Sequence, residues 1–182
     1  MKRANTTISW ISIASIALFT YWSISAQRPS ANFLDSDNPD DFSVDSVMFH
    51  LKVIAKDIHY IGTPYHKEVQ TYLKEELIAL GLQAHIQQER IFRLSSEKSK
   101  GMVVENVVAR IEGSGDGKAL LLMAHYDSAA PHSYGASDDG AGVATILEAV
   151  RVFLKKEIQP KNDIIVVFSD AEEASMMGAR AF

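Results

Sequence analysis

Cysteine is absent from these 182 residues. Disulfides, thiolate metal sites and cysteine nucleophiles are therefore excluded together. Basic clusters are nearly absent as well: beyond Lys2-Arg3 and Lys155-Lys156, the 18 lysines and arginines are scattered. With 23 Asp and Glu the net charge is −5, so no nucleic-acid partner is expected. No G-x-S-x-G stretch occurs, which removes the nucleophile elbow of a serine hydrolase. There is no internal repeat and no low-complexity tract. What remains is 47% apolar and 23% charged, enough for the packed core of one domain.

Charge is also missing from Ala4 through Gln27. Within that stretch, Ile8–Ala26 is apolar and of the length that crosses a bilayer, with Trp10 and Trp22 near its ends. Lys2 and Arg3 precede it, which favours a cytoplasmic N-terminus and exports the remainder, to the periplasm, the cell exterior or an organelle lumen. A cleaved signal peptide, cut near Ser25 or Ala26, satisfies the same pattern. Residues 1–26 are thus an anchor or signal, and 27–40, polar with Pro29 and Pro39, read as a linker.

From residue 41 onward the pattern is that of a single α/β domain. Val47, Leu51, Ile54 and Ile58 recur at helical spacing, as do Val69, Tyr72, Leu73, Leu77 and Leu80 in a helix opened by Pro64 and closed by Gly81. Leu82–Phe92 and Met102–Ile111 read as strands joined by a polar stretch with Ser95, Ser96 and Ser99. Ala119–Ala124 and Ile164–Phe168 are short continuous apolar runs, suited to strands buried on both faces. Between them lies a helix over Ala141–Lys156. Strand–helix–strand implies a parallel pair, and the expected architecture is a mostly parallel sheet with helices on both faces.

Three groups of metal-capable residues fall at the ends of these runs. His125-Tyr126-Asp127 closes the first buried strand, Asp138-Asp139 precedes the crossover helix, and Asp170-Ala171-Glu172-Glu173 closes the second. In open α/β sheets ligands bind outside the carboxyl ends of the strands, so the three groups should converge. Imidazole and carboxylate suit zinc, and an adjacent carboxylate suits a general base. Each group alone has a plainer explanation: a hydrogen-bonded surface histidine, a helix cap at Asp138-Asp139, and first-turn acids at Glu172-Glu173. Asp170 is expected to be structural, and His50, His59, His66 and His85 to be surface or core residues.

The strings His125-Tyr126-Asp127-Ser128, Gly135 through Ala144 (GASDDGAGVA), Glu148-Ala149-Val150-Arg151 and Asp170-Ala171-Glu172-Glu173 resemble the dinuclear zinc aminopeptidase family that also contains glutamate carboxypeptidase (metallopeptidase family twenty-eight). Ile58-His59-Tyr60-Ile61-Gly62-Thr63-Pro64 after an N-terminal span is similar to the membrane-bound branch. The resemblance implies a zinc exopeptidase fold acting on peptides. His125 would bind one zinc, Asp138 would bridge two through a cis peptide to Asp139, and Glu173 would bind the other. Glu172 would be the general base, with Asp127 orienting His125. Ser175 departs from the family's usual glycine, and Met176 and Met177 from its leucines. A further Asp and His ligand, which the family carries later, would lie beyond Phe182, so the chain is expected to be an N-terminal part that is inactive alone. The alternatives are the related zinc amidohydrolases and carboxypeptidases with a dimerisation domain, whose Asp follows the His at greater distance than the 13 residues here, and a non-catalytic membrane protein on the same fold.

Overall fold

The computed structural model describes residues 2–28, 38–93, 100–130 and 132–182. The chain divides into two compact units, Met1–Asp35 and Ser36–Phe182. The first contains helix α1, Lys2–Ala26. At about 1.5 Å per residue its 25 residues extend roughly 37 Å, more than a hydrocarbon core of about 30 Å. Trp10, Ile16, Phe19, Tyr21 and Trp22 on it are all exposed, and by length and composition Ser9–Ala26 suffices to cross a membrane. Most of the expected linker, like the stretch with Ser95, Ser96 and Ser99, lies outside the described residues.

The second unit begins with α2, Val44–Ile54, and α3, Pro64–Ala79. Both start where the sequence supplies a cap. Ser43 Oγ accepts from Ser46 N at 3.2 Å, and Thr63 Oγ1 from His66 N at 3.4 Å, with Pro64 in the first helical position. Ile58, counted with the first helix by its spacing, falls outside it. Helix α3 ends in a six-to-one and five-to-two pair of hydrogen bonds, Leu82 N to Leu77 O at 3.1 Å and Gly81 N to Ile78 O at 2.8 Å. That motif needs a left-handed residue, and Gly81 supplies it with φ 87°.

Four strands follow: β1 His85–Arg93, β2 Lys100–Ile111, β3 Leu120–His125 and β4 Ile164–Ser169, with α4, Ala141–Lys155, crossing between the last two. The spatial order is β1-β2-β4-β3. The crossover pair β3–β4 is parallel, in the register Leu120 opposite Ile164 and His125 opposite Ser169. The parallel character stops there, because β1 pairs with β2 and β2 with β4 antiparallel. The described sheet is therefore mixed rather than mostly parallel. The short connection from β1 to β2 allows a hairpin but not a crossover.

Helices α2, α3 and α4 cover one face. Ile54, Leu73, Leu77, Val143 and Leu147 pack there on Val107, Ala109, Val166 and Phe168. The other face carries a short helix α5, Met177–Ala181, with Val104, Ala171, Ala174 and Met177 forming a smaller core. A helix starting at Glu172, the plainer explanation of the acidic pair, does not form. Ala171, Ser175 and Met176 have φ of 55°, 92° and 57°, and this left-handed loop delays helical geometry to Met177.

Candidate active site

The parallel register brings the ends of β3 and β4 to one edge, and Tyr126 N extends the ladder by donating to Ser169 O at 3.0 Å. His125 and the segment after Ser169 thus leave the sheet side by side. The turn Ala136–Gly140 returns the chain to that edge and carries Asp138. It starts at Gly135, with φ 56°, where a Cβ would sit 2.9 Å from Ser128 Cβ and 3.0 Å from His59 Nε2. Only glycine meets both conditions. The Asp138–Asp139 peptide is cis.

His125 is buried, and both of its ring nitrogens are engaged. Nδ1 lies 2.9 Å from the Asp127 carbonyl oxygen and 3.5 Å from Asp127 Oδ1. Nε2 lies 3.0 Å from Asp138 Oδ1 and 3.9 Å from Glu172 Oε2. Asp127 is fully buried, and its carboxylate accepts from Glu172 N at 2.9 Å and from Glu173 N at 3.1 Å. The expected contact of Asp127 with His125 is therefore made most closely by its carbonyl. Its carboxylate instead ties the imidazole's own segment to the backbone of the acidic pair.

Charge is concentrated at this edge. Burial lowers the His125 pKa, but hydrogen bonds to Asp127 and Asp138 outweigh it and hold the group up at about 9. Glu173 is raised above the ordinary carboxylate range, first by burial and then by the charge of Asp138, with His125 opposing. Asp138 keeps an 81% exposed side chain. The donor types, one imidazole nitrogen facing carboxylate oxygens, are those of a zinc site. Among the described residues, however, no three His, Cys, Asp or Glu side chains are grouped closely enough to hold a metal by themselves. His125 and Asp138 are in direct contact, while Glu173 joins the cluster through its amide on Asp127 and through the charge of its side chain.

Asp139 has the capping role considered for its pair, accepting from Gly142 N at 3.2 Å. Asp170 is structural as expected, 2% exposed and bonded through both carboxylate oxygens. Two histidines assigned only to surface or core adjoin the site. His59, 1% exposed, donates its amide to Ser128 Oγ at 3.1 Å and accepts from Ser128 N at 3.3 Å, and burial lowers its pKa. His66 contacts Asp170 Oδ1 through Nε2 at 2.9 Å. No spacing rule joins His59 to Ser128, 69 positions later, or His66 to Asp170, 104 positions later.

Comparison with known proteins bears on the family and the fold. Residues 106–182 match the family described as peptidase family M28. A vacuolar membrane protease from Candida albicans is 37% identical over 144 residues, covering 76% of this chain and 16% of that protein. The chain thus spans about a sixth of that relative's length. The solved glutaminyl cyclase from Porphyromonas gingivalis is 26% identical with a TM-score of 0.60, over 71% of this chain and 46% of the other. A putative zinc-dependent exopeptidase from Bacteroides vulgatus shares the fold at 24% identity and a TM-score of 0.61, over 77% and 53%. On the family match and the relatives together, the chain belongs to peptidase family M28.

Proposed function

We propose that the protein carrying this chain is a zinc-dependent exopeptidase held to a membrane by α1, and that these residues form the proton-handling side of its site. The supporting observation is the Asp127 carboxylate, which fastens Glu172 and Glu173 beside His125. His125, Asp138 and Glu173 would hold two zinc ions, with Asp138 shared. Bound zinc supplies Lewis acidity toward the scissile carbonyl and acidifies water.

The chain's own groups do the rest. In the metal-binding tautomer, His125 Nδ1–H donates to the Asp127 carbonyl, which leaves the Nε2 lone pair facing Asp138. Glu172 Oε2, 3.9 Å from that nitrogen, receives the proton of the attacking water and returns it to the leaving amine nitrogen. Lys2 and Arg3 keep the N-terminus cytoplasmic, so residues 27–182 meet peptides on the far side of the membrane.

In the full-length protein, Glu172→Gln is expected to lower kcat by about 10²–10⁴-fold while zinc content stays near wild type. Normal turnover in that variant removes Glu172 from the mechanism. The likeness to a glutaminyl cyclase supplies a second reading for the same edge. Peptides with N-terminal glutamine separate the two, since cyclisation releases ammonia and leaves the peptide bonds intact, whereas exopeptidase action releases free amino acid.

A further inference from the structure

The loop carrying Glu172 and Glu173 is closed at its base by Asp170. The Asp170 carbonyl accepts from Gly178 N at 2.9 Å, and its amide donates to Asn106 Oδ1 at 2.9 Å. Asn106 Nδ2 then donates to Gly178 O at 2.9 Å, and a side chain at Gly178 would strike both Asp170 and Asn106. Asp170 Oδ2 accepts from Glu105 N at 2.9 Å, and Oδ1 meets His66 Nε2 at 2.9 Å. His66 lies 104 residues earlier, on α3, and is 8% exposed. The mechanism above uses neither partner.

His66 also touches the other arm of the site. Its ring stacks on Tyr126, with centroids 4.9 Å apart and planes inclined by 19°. Tyr126 stands between His125 and Asp127, and its hydroxyl donates to Glu105 O at 2.9 Å and accepts from Gln70 Nε2 at 3.0 Å. His66 and Gln70 share one face of α3, being four residues apart. That face therefore grips the β3 arm through Tyr126 and the β4 arm through Asp170. A buried ionisable pair is a poor source of net stability, because desolvation offsets its attraction and apolar residues of equal volume do as well. What such a pair supplies is a fixed distance and direction.

We propose that His66 and Asp170 are a positioning pair that sets how far Glu172 stands from His125, an inference that rests on the role given to Glu172 above. The pair acts through the backbone. Asp170 fixes the start of the loop, and the Glu172 and Glu173 amides then meet the Asp127 carboxylate.

The test uses the full-length protein and two readouts. In the metal-free protein, His66→Leu should speed hydrogen exchange of the Glu172 and Glu173 amides by about tenfold or more while Val107 and Val167 keep wild-type rates. His66→Gln, which retains a donor toward Asp170, should restore most of the protection. In the zinc-loaded protein, His66→Leu should lower kcat by roughly 100-fold, as a misplacement of about 1 Å does, with KM and zinc content little changed. If His66→Leu does not fold, Asp170→Asn, which keeps the shape of the side chain, is held to the same exchange criterion. Unchanged exchange at Glu172 and Glu173 overturns the pair. So does a uniform rise that includes Val107 and Val167, because His66 would then only hold the fold. A wild-type protein that shows the expected exchange but hydrolyses no peptide overturns the exopeptidase reading and leaves the pair standing.

Discussion

Ser175 holds a φ of 92°, a region L-residues avoid, beside the acidic pair whose loop it closes; its amide donates to Glu172 O at 2.8 Å. Left-handed backbone costs a residue with a Cβ about 1–2 kcal/mol, and glycine almost nothing. Ser175→Gly should therefore stabilise the protein by about 1 kcal/mol, seen as a higher urea midpoint at unchanged slope; an unchanged or lower midpoint would show that the loop stores no such strain. At His125 the sign of the pH effect is set by a folded pKa raised from 6.5 to about 9. In the metal-free protein its contribution to stability is fully present below pH 6.5 and fades as pH rises through about 9. The same proton competes with zinc for Nε2, so zinc affinity should climb with pH and level off above about 9, with proton release on binding. Calorimetric titration in buffers of different ionisation enthalpy checks it, and a pH-independent affinity would remove His125 as a ligand.

Among the elements, α4 holds the entry of α2. Glu148, fully buried, accepts from Ser43 N at 2.7 Å, Ser46 Oγ at 2.8 Å and Arg151 Nε at 2.7 Å, while Arg151 also donates to Pro39 O and Asp41 O. Burial raises the Glu148 pKa, but these partners outweigh it and depress the group below its ordinary value. Its contribution is thus present above the ordinary carboxylate range and lost as pH falls through the depressed folded value. Glu148→Gln should destabilise by roughly 3 kcal/mol near neutrality and less in acid, measured as urea midpoints at two pH values; equal losses at both would refute the charge as the cause. Elements with a local signature were legible in advance. The start of α3 at Pro64, its stop at Gly81 and the bounds of β3 and β4 all lie within one or two residues of their expected places. But β3, expected to be buried on both faces, ends the described sheet and begins with exposed Leu120 and Leu121. The stretch around Glu172 was not legible, because left-handed backbone at Ala171, Ser175 and Met176 leaves no periodic trace. The site was legible as strand-end positions. That the Asp127 carboxylate would hold the Glu172 and Glu173 amides was not, since that contact depends on how two loops 45 residues apart meet.

For the whole molecule, the helix Lys2–Ala26 and the charge at Lys2 and Arg3 predict that protease added outside the membrane digests residues 27–182 and leaves α1 behind; full protection would reverse the orientation. On the proposed ligand set, with Asp138 shared, each zinc would take two protein ligands from residues 1–182, one fewer than catalytic zinc usually has. Residues 1–182 alone should therefore lose zinc on dialysis against micromolar chelator, and retention of two ions would show that the set is sufficient. The parallel pairing of His125 with Ser169 has one more consequence. It makes the separation of imidazole and carboxylate a count of peptide units, about 3.3 Å each, rather than a matter of side-chain choice. Inserting one residue between Leu120 and His125 would turn the imidazole toward the opposite side of the sheet, and inserting two would return it to its side about 6.6 Å out of place. The chemistry at this edge thus tolerates exchange of the residues behind it far better than a change in their number.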